Sequence, residues 1–417
     1  MGLLNFLKKI EPDKKKSPFL HTAYDAFFTF AYAPNTTTAP RGVQIRDGMD
    51  LKRLMVFVVL ALQLCYVFGT YNIGHQHFVA AGQYMGFFDG FHLKLAHGII
   101  KMLPIYVVAL GVGLGIEFYF AYKKGHAVEE GFLVSGALIP LIMPPDIPMW
   151  ILALSVAFAV ILGKEVFGGT GMNVWNVALL SRVFIFFAYP TTISGDYVWV
   201  SGFDGLAPGA LADYGFWHTS FFNPIFSSFG WDTFNSAISV TDGFTGATPL
   251  SLAAHGGWDN VLSVYNENQM LWGMIPGSIG ETSKPLIILG ALFLVMTRVA
   301  SWKIMVSMIF GAIFMTYIFN FWGASDFMQV TWQQHFLMGS FFFAMAFMAT
   351  DPVTAASTDT GKYIYGFMIG VIGIVIRVIN PAYPEGWMLA ILLLNTFAPL
   401  IDYYVLDSNM KKRLKRA

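Results

Sequence analysis

Ten apolar segments, each long enough or nearly long enough to cross a lipid bilayer, run through this sequence of 417 residues. Hydrophobic residues make up 56% of the chain and charged residues only 12%, about half the charged fraction of an ordinary soluble domain. Several segments fall short of the roughly 20 residues of a simple spanning helix, so broken helices covered by neighbouring protein are expected. The sequence predicts an all-α polytopic membrane protein with apolar segments at 54–71, 99–122, 130–144, 147–163, 176–190, 284–300, 303–322, 334–350, 363–379 and 386–402.

Lys and Arg residues are unevenly distributed between these segments. None lies between Arg182 and Lys284, whereas that stretch contains eight Asp and Glu residues. The positive-inside rule therefore places this stretch outside the cell and both termini in the cytoplasm. The predicted divisions are a basic amphipathic cytoplasmic segment at 1–53, a five-helix membrane repeat at 54–190, an extracytoplasmic region at 191–275, a second five-helix repeat at 276–402 and a basic cytoplasmic tail at 403–417.

Polar breaks occur in corresponding places in the two halves of the chain. The third apolar segment ends at Pro144 and Pro145, and the eighth ends at Asp351 and Pro352; Gly- or Pro-rich connections then precede the fifth and tenth segments. Five crossings separate the two copies, so the copies cross the bilayer in opposite directions. This pattern is typical of inverted repeats in transporter-like folds, and we expect two inverted five-helix repeats.

A short polar motif in the extracytoplasmic region carries the strongest functional signal. The sequence DGFTGAT at 242–248 fits the pattern D-x-x-(S/T)-G-A-T, at which a flavinyl transferase esterifies FMN to the last threonine. Thr248 supplies the hydroxyl for the phosphoester, and the motif also includes Asp242, Thr245, Gly246 and Ala247. The same residues are also typical of a tight turn. The extracytoplasmic position favours flavinylation.

Five motifs in the chain resemble those of the B subunit of the sodium-translocating NADH:quinone oxidoreductases, and the similarity extends from the basic head to the basic tail. The motifs are KEVFGGTGMN at 164–173, FFAYP at 186–190, IPGSIGE at 275–281, MATDPV at 348–353 and NPAYPEG at 380–386. The resemblance implies a membrane component of a translocase that has six subunits and lies in the bacterial inner membrane. Its partners would include a second subunit with covalent FMN, an NADH-oxidising subunit with FAD and an iron-sulfur cluster, and the flavinyl transferase.

The same resemblance implies the route of electrons and cations. Electrons would pass from a partner to FMN on Thr248, then to riboflavin and finally to ubiquinone, coupled to the export of Na⁺. The family's riboflavin site corresponds to Asn173 and Asn176, whose amides offer both donors and acceptors to a flavin ring edge. Asn173 is also expected to cap the fifth helix. Val177 stands where the family usually has proline.

Carboxylates near the ends of three apolar segments match acidic positions that the family links to cation uptake. These are Glu117, Asp351 and Asp402, and charges at such depth usually line a pathway or are paired. Arg182 and Arg377 are possible partners for them, or for a flavin phosphate or a quinone. The family places a quinone pocket near Gly111, Gly113 and Gly115, which the apolar surroundings otherwise assign to close helix packing.

Metal and nucleic-acid binding are not expected. His75, His77, His92 and His97 fall between the first two apolar segments at spacings that do not form a convincing ligand set. The lone Cys65 excludes an iron-sulfur cluster bound by this chain alone. Two other functions stay open: the equivalent subunit of an Rnf-type ferredoxin:NAD oxidoreductase, which bound ubiquinone would argue against, and a secondary transporter with an incidental threonine motif.

Overall fold

A computed structural model describes residues 51–124, 131–203, 214–234, 240–241, 244–380 and 385–416, with scattered residues before 51. These residues form helices and turns, with no strand among them. The helices are α1 (Leu51–Ala80), α2 (Phe91–Lys124), α3 (Phe132–Ile142), α4 (Met149–Val160), α5 (Val177–Ala188), α6 (Asn223–Ser228), α7 (Pro249–Leu262), α8 (Glu267–Trp272), α9 (Lys284–Met296), α10 (Trp302–Trp322), α11 (Trp332–Leu337), α12 (Phe341–Phe343), α13 (Asp359–Ile379) and α14 (Trp387–Leu414).

Within the described ranges, five helices are long and apolar enough to cross a membrane: α1, α2, α10, α13 and α14. Three more, α3, α5 and α9, are apolar but shorter. The prediction of an all-helical, multi-pass membrane protein is confirmed at this level. Each of the ten predicted apolar segments contains helix, and the first two helices extend well beyond the predicted 54–71 and 99–122.

Irregular helix occurs where the breaks were predicted. A π-helical turn at Ile161–Glu165 continues α4, and a second at Ala344–Met348 continues α12 before the non-helical stretch at 349–358. Such π turns displace side chains from the regular helical face and are frequent at functional sites. In each half of the chain, the helix in the fourth apolar segment packs against the helices in the second and fifth. In the first half α4 packs against α2 and α5, and in the second half α13 packs against α10 and α14.

Small residues let several helices approach closely. A Cβ atom added at Gly113 would lie 1.9 Å from the Phe132 ring, and one at Gly311 would lie 2.1 Å from the Phe367 carbonyl oxygen. Gly111 and Gly115 instead face open space, with no described atom within 4 Å of an added Cβ. The packing role predicted for the three glycines is therefore confirmed at Gly113, whereas no described part of this chain packs against Gly111 or Gly115.

Candidate functional site

A cleft with an empty volume of about 980 Å³ opens beside Thr248. We call it the Thr248 cleft. Its walls are formed by the start of α7, the 193–199 loop and the start of α9. Single residues of α5 and of the turns before α12 and α14 complete them. Its polar lining residues are Arg182, Ser194, Asp196, Thr248, Ser251, His255, Glu281, Thr282, Lys284 and Glu385.

Thr248 is the N-cap of α7. Its Oγ1 accepts a hydrogen bond from the backbone N–H of Ser251 at 3.2 Å, and Pro249 follows at the first helical position, where its missing N–H costs nothing. A hydroxyl at this place points along the first turn of the helix, where backbone N–H groups and the helix dipole favour a negative charge.

The rest of the motif holds Thr248 against the 193–199 loop. A Cβ atom at Gly246 would lie 2.4 Å from the carbonyl oxygen of Asp196, so this close backbone approach requires glycine. Ala247 is buried, and its carbonyl accepts a hydrogen bond from the Tyr265 hydroxyl at 2.9 Å. Thr245 Oγ1 accepts from the Ala247 N–H. Asp242 lies outside the described residues.

Buried charges of both signs surround the floor of the Thr248 cleft. Glu281 and Lys284 are buried, and Arg182 stacks over the Trp199 ring with its guanidinium carbon 5.6 Å from the ring centre. Burial, reinforced by the neighbouring Glu385 carboxylate, raises the pKa of Glu281 to about 7; Arg182, the Ser278 hydroxyl and Lys284 oppose the rise. The cleft therefore holds two cations beside Glu281, a carboxyl group whose raised pKa favours its neutral form.

Arg377 lies behind this cleft, fully buried. Its Nη1 donates to the carbonyl oxygen of His335 at 2.7 Å, while Nε and Nη2 have no hydrogen-bond partner among the residues that the structure describes. Glu385 accepts hydrogen bonds from the backbone N–H and the hydroxyl of Ser340. The described ion pair of Glu117 is with Lys164, and Asp351 and Asp402 form no ion pair among those described. Pairing with Arg182 or Arg377 stays a prediction.

A second cleft, with an empty volume of about 770 Å³, lies between the starts of α1 and α5, α3, the end of α9 and the turn after Met348. We call it the Asn173 cleft. Its lining is mostly apolar. The polar lining residues are Ser135, Lys164, Thr170, Asn173, Asn176, Thr350 and Asp351.

Both predicted riboflavin residues line this cleft, but their structural roles differ from the prediction. Asn176, rather than Asn173, is the N-cap of α5, with Oδ1 accepting from the N–H groups of Ala178 and Leu179 at 3.1 and 3.2 Å. Helix α5 begins at Val177, so the cap must be the residue directly before it. The Asn173 amide instead donates to the Trp175 carbonyl at 3.2 Å.

The three predicted cation-pathway carboxylates lie in different surroundings. Glu117 is buried on α2 and forms an ion pair with Lys164, which also lines the Asn173 cleft. Asp351 lines the same cleft and accepts from the Val353 N–H at 3.2 Å.

Asp402 on α14 accepts hydrogen bonds from the N–H groups of Ser357 and Thr358, at 2.7 and 3.0 Å. It also accepts one from the Thr358 hydroxyl. Because Thr358 caps α13, Asp402 joins α14 to the start of α13.

The four histidines lie on helices rather than in a loop, which corrects the sequence interpretation. His77 Nδ1 lies 2.8 Å from the Ser201 carbonyl oxygen, and His97 Nδ1 lies 3.1 Å from His218 Nε2. Burial, with the nearby Lys101 and His77, lowers the pKa of His218 to about 4. The contacts of His77 and His97 join α1 and α2 to Ser201 and His218. No group of three or more His, Cys, Asp or Glu suited to a metal occurs within the described part of the chain.

Sequence reasoning missed the two buried lysines that face the clefts. Lys164 and Lys284 are 4% and 1% exposed, although the sequence singled out Lys164 only within a family motif and Lys284 only for the distribution of charge. The available signal was a lone lysine at the edge of an apolar segment beside a Gly- or Pro-rich motif. Such a cation is costly to bury without a negatively charged partner or ligand.

Comparison with known proteins agrees with the motifs. The family model described as "NQR2, RnfD, RnfE family" matches residues 38–411. The B subunit of a Na(+)-translocating NADH-quinone reductase from Pseudomonas paraeruginosa is 40% identical, with all of both chains covered. The corresponding B subunit from Chromohalobacter salexigens is 40% identical over all of this chain and 97% of its own length, and that from Yersinia pestis is 38% identical over all of both. The chain belongs to the NQR2, RnfD, RnfE family, among relatives that are B subunits of Na(+)-translocating NADH-quinone reductases.

Proposed function

We propose that this chain is the membrane subunit of a redox-driven sodium pump that receives electrons from a partner flavin and passes them to ubiquinone. Covalent FMN on Thr248 and riboflavin in the Asn173 cleft would supply the electron chemistry, and the protein would hold and orient them. The observation that carries this proposal is the position of Thr248, whose hydroxyl caps a helix inside a cleft with two buried cations. The B-subunit relatives, similar over their whole length, support the assignment.

The Thr248 cleft suits a flavin that carries a phosphate. A phosphoester on Thr248 Oγ1 would lie at the N-terminus of α7, where the Ser251 N–H already donates to that oxygen. Lys284 and Arg182 line the same space and offset the negative charge of the phosphate. The unpartnered donors of Arg377 lie behind it. The residues present therefore fit FMN.

The Asn173 cleft suits a flavin without a phosphate. Asn173 and Asn176 offer neutral amides, and their neighbours are mainly apolar. In Asn176 the side-chain oxygen is engaged in capping α5, which leaves the amide nitrogen for a ring carbonyl. Capping and flavin binding are thus compatible in one side chain.

Helix α9 connects the two clefts. Lys284 at its start lines the Thr248 cleft, and Leu294 lines the Asn173 cleft. Ten residues of helix span about 15 Å. Flavins in these two places would therefore lie close together within the helical bundle, in the order that the proposed electron route requires.

The membrane arrangement completes the proposal. The ten helical segments form two inverted five-helix repeats in the bacterial inner membrane, with both termini cytoplasmic and 191–275 outside. The shared packing of α4 and α13 against the second and fifth elements of their halves supports the repeat. The other five subunits would include the second covalent-FMN subunit and the NADH-oxidising subunit.

Quinone and sodium would use other surfaces of the same bundle. Gly111 and Gly115 leave open space on the outer face of α2, where a lipid-soluble quinone could approach, and Gly113 lets α3 pack behind it. We assign Glu117 and Asp351 to the cation pathway; the burial of Glu117 against a lysine and the position of Asp351 in the wall of the Asn173 cleft support this assignment. A pathway role for Asp402 stays a prediction, since its oxygens accept hydrogen bonds from the start of α13.

The test is an intact-mass measurement of the chain purified from cells that contain the flavinyl transferase. The wild-type chain should exceed its sequence mass by one FMN less one water, and Thr248→Ala should lose both this increment and the in-gel flavin fluorescence. Ser251→Ala, which removes the neighbouring hydroxyl, is the matched control and should keep both. An unmodified wild-type chain would overturn the proposal and leave a secondary transporter.

An Rnf-type complex is the second candidate, because the matching family model covers both kinds of subunit. Extraction of ubiquinone from the purified complex would favour the NADH:quinone enzyme. Failure to reduce ubiquinone, combined with ferredoxin-dependent reduction of NAD, would favour the Rnf-type complex.

A further inference from the structure

Lys164 lies between two features that the proposed function treats separately. On one side its ammonium forms a buried ion pair with Glu117, whose side chain is 4% exposed. On the other side the same residue lines the Asn173 cleft. Of Glu117, Asp351 and Asp402, only Glu117 forms a described ion pair with a residue that lines a cleft.

In a second ion pair, α2 supplies the lysine and the π-helical turn supplies the glutamate. This pair holds the segment that carries Lys164. Glu165 follows Lys164 in the π-helical turn, and its carboxylate accepts from Lys124 at 3.0 Å. Glu117 and Lys124 lie two turns apart on α2, so both pairs join the same two elements. The Lys124 to Glu165 pair therefore holds the turn against α2 whether or not Lys164 contacts Glu117.

The Lys164 ammonium contacts Oε1 of the Glu117 carboxylate. A buried carboxylate requires a positive neighbour, and either the Lys164 ammonium or a sodium ion provides a single positive charge. For Na⁺ to bind at Glu117, the ammonium must move, and the Asn173 cleft is the other space that Lys164 lines. A negative charge in that cleft would favour this second position.

We propose that Lys164 is a movable counter-ion that couples the charge of the ligand in the Asn173 cleft to cation binding at Glu117. With a neutral ligand, Lys164 neutralises Glu117 and excludes Na⁺. When the ligand gains one electron without a proton, Lys164 turns toward it and Na⁺ takes the vacated place beside Glu117. The added electron and the bound cation balance, Lys164 keeps its proton, and the buried charge is unchanged.

This coupling rests on the proposed function, which supplies the flavin in the cleft and the reduced FMN that donates the electron. Each ligand changes the affinity for the other by the same factor, as linkage requires. Na⁺ should therefore favour the reduced state of the flavin, and reduction should tighten Na⁺ binding. Lys164 acts as a positioning residue for both.

The test compares the purified complex carrying wild-type chain, Lys164→Met or Lys164→Arg. The midpoint potential of the non-covalent flavin is titrated at several NaCl concentrations, with choline chloride holding ionic strength constant. In the wild type the potential should rise by up to about 59 mV per tenfold increase in Na⁺ for a one-electron couple. Lys164→Met should abolish this dependence, and Lys164→Arg, which keeps the charge, should retain it.

A second measurement does not depend on redox chemistry. The thermal unfolding temperature of the oxidised complex is measured against Na⁺. Lys164→Met should bind Na⁺ at least about tenfold more tightly than the wild type, because Glu117 has lost its internal cation. Glu117→Gln combined with Lys164→Met removes both charges and should abolish the gain in Na⁺ affinity. Because no buried charge is left without a partner, this double variant also controls for misfolding of Lys164→Met.

Lys123→Met is the matched control, because it removes an exposed lysine from the same end of α2, where the Lys123 ammonium lies over the Tyr119 ring. It should leave both Na⁺ responses as in the wild type. A midpoint potential that still depends on Na⁺ in Lys164→Met, or that loses this dependence equally in Lys123→Met, would overturn the counter-ion role. Absence of any extractable non-covalent flavin would instead overturn the proposed occupant of the cleft. If the wild-type complex contains the non-covalent flavin but the midpoint potential does not depend on Na⁺, only the coupling would be overturned.

Discussion

The two clefts of this chain have similar size but opposite chemistry. The Thr248 cleft contains Arg182, Lys284 and three carboxylates around a helix-capping hydroxyl. The Asn173 cleft contains two amides, one lysine and one aspartate in a mainly apolar wall. The first can stabilise a ligand with a fixed negative charge, and the second suits a neutral ligand whose charge changes. A single helical bundle thus contains one cleft rich in charged groups and one that is mainly apolar.

The contrast extends to how each lysine is balanced. Among the described residues, Lys164 forms an ion pair with a single carboxylate, that of Glu117. Lys284 instead interacts with a network in which Glu281 and Glu385 also act on each other. A single pair can exchange one cation for another, whereas a network holds its charges in place. We therefore expect a movable charge in the Asn173 cleft and a rigid electrostatic environment in the Thr248 cleft.

The largest expected effect is that of Lys284→Met. This change removes a buried cation and leaves Glu281 and Glu385 to repel each other, which should lower the free energy of unfolding by about 3–5 kcal/mol. Thermal unfolding of the purified chain checks it. Adding Glu281→Gln to Lys284→Met should restore most of the loss. Equal stability of the single and double variants would show that Lys284 does not neutralise this network, and the two clefts would be less different than proposed.

A smaller effect is expected on the pH dependence of stability. Burial raises the pKa of Glu281 to about 7, so the folded state holds this proton more tightly than the unfolded state. The resulting contribution to stability is complete below the ordinary pKa of the carboxyl and is lost as pH rises toward 7, at about 1.4 kcal/mol per pH unit.

The check is the unfolding temperature of Thr248→Ala, which excludes a contribution from attached FMN, measured across this pH range with and without Glu281→Gln. Glu281→Gln should flatten the profile. Parallel profiles for the two proteins would assign the pH dependence to another group.

Much of the fold was predictable because its signals are local. Apolar runs identified every helical segment from α1 to α5 and from α9 to α14. The motif ending at Thr248 predicted an FMN acceptor or a tight turn, and did not predict that Thr248 caps α7. Helix ends were less predictable. Polar residues such as His77 continue α1 beyond its apolar run, because contacts with Ser201 and Tyr214 satisfy that ring far along the chain.

The partners of buried charges were not predictable from sequence. Glu117 and Lys164 are 47 positions apart, and Ser340 and Glu385 are 45 apart, so no local pattern connects them. Arg182 and Arg377 matched the predicted carboxylates only by charge, and the fold places them beside other groups. Pairing depends on which helices meet, and a single sequence does not determine that.

The smallest expected effect separates capping from flavin binding in the Asn173 cleft. Asn176→Ala removes the cap of α5 and should cost about 1 kcal/mol of stability together with the non-covalent flavin. Asn176→Asp keeps a capping oxygen but loses the amide donors, so it should hold stability near the wild type and still lose the flavin. Thermal unfolding and flavin extraction measure the two effects. If Asn176→Asp retains the flavin, the amide serves α5 alone, and the cleft binds its ligand through Asn173 and the apolar wall.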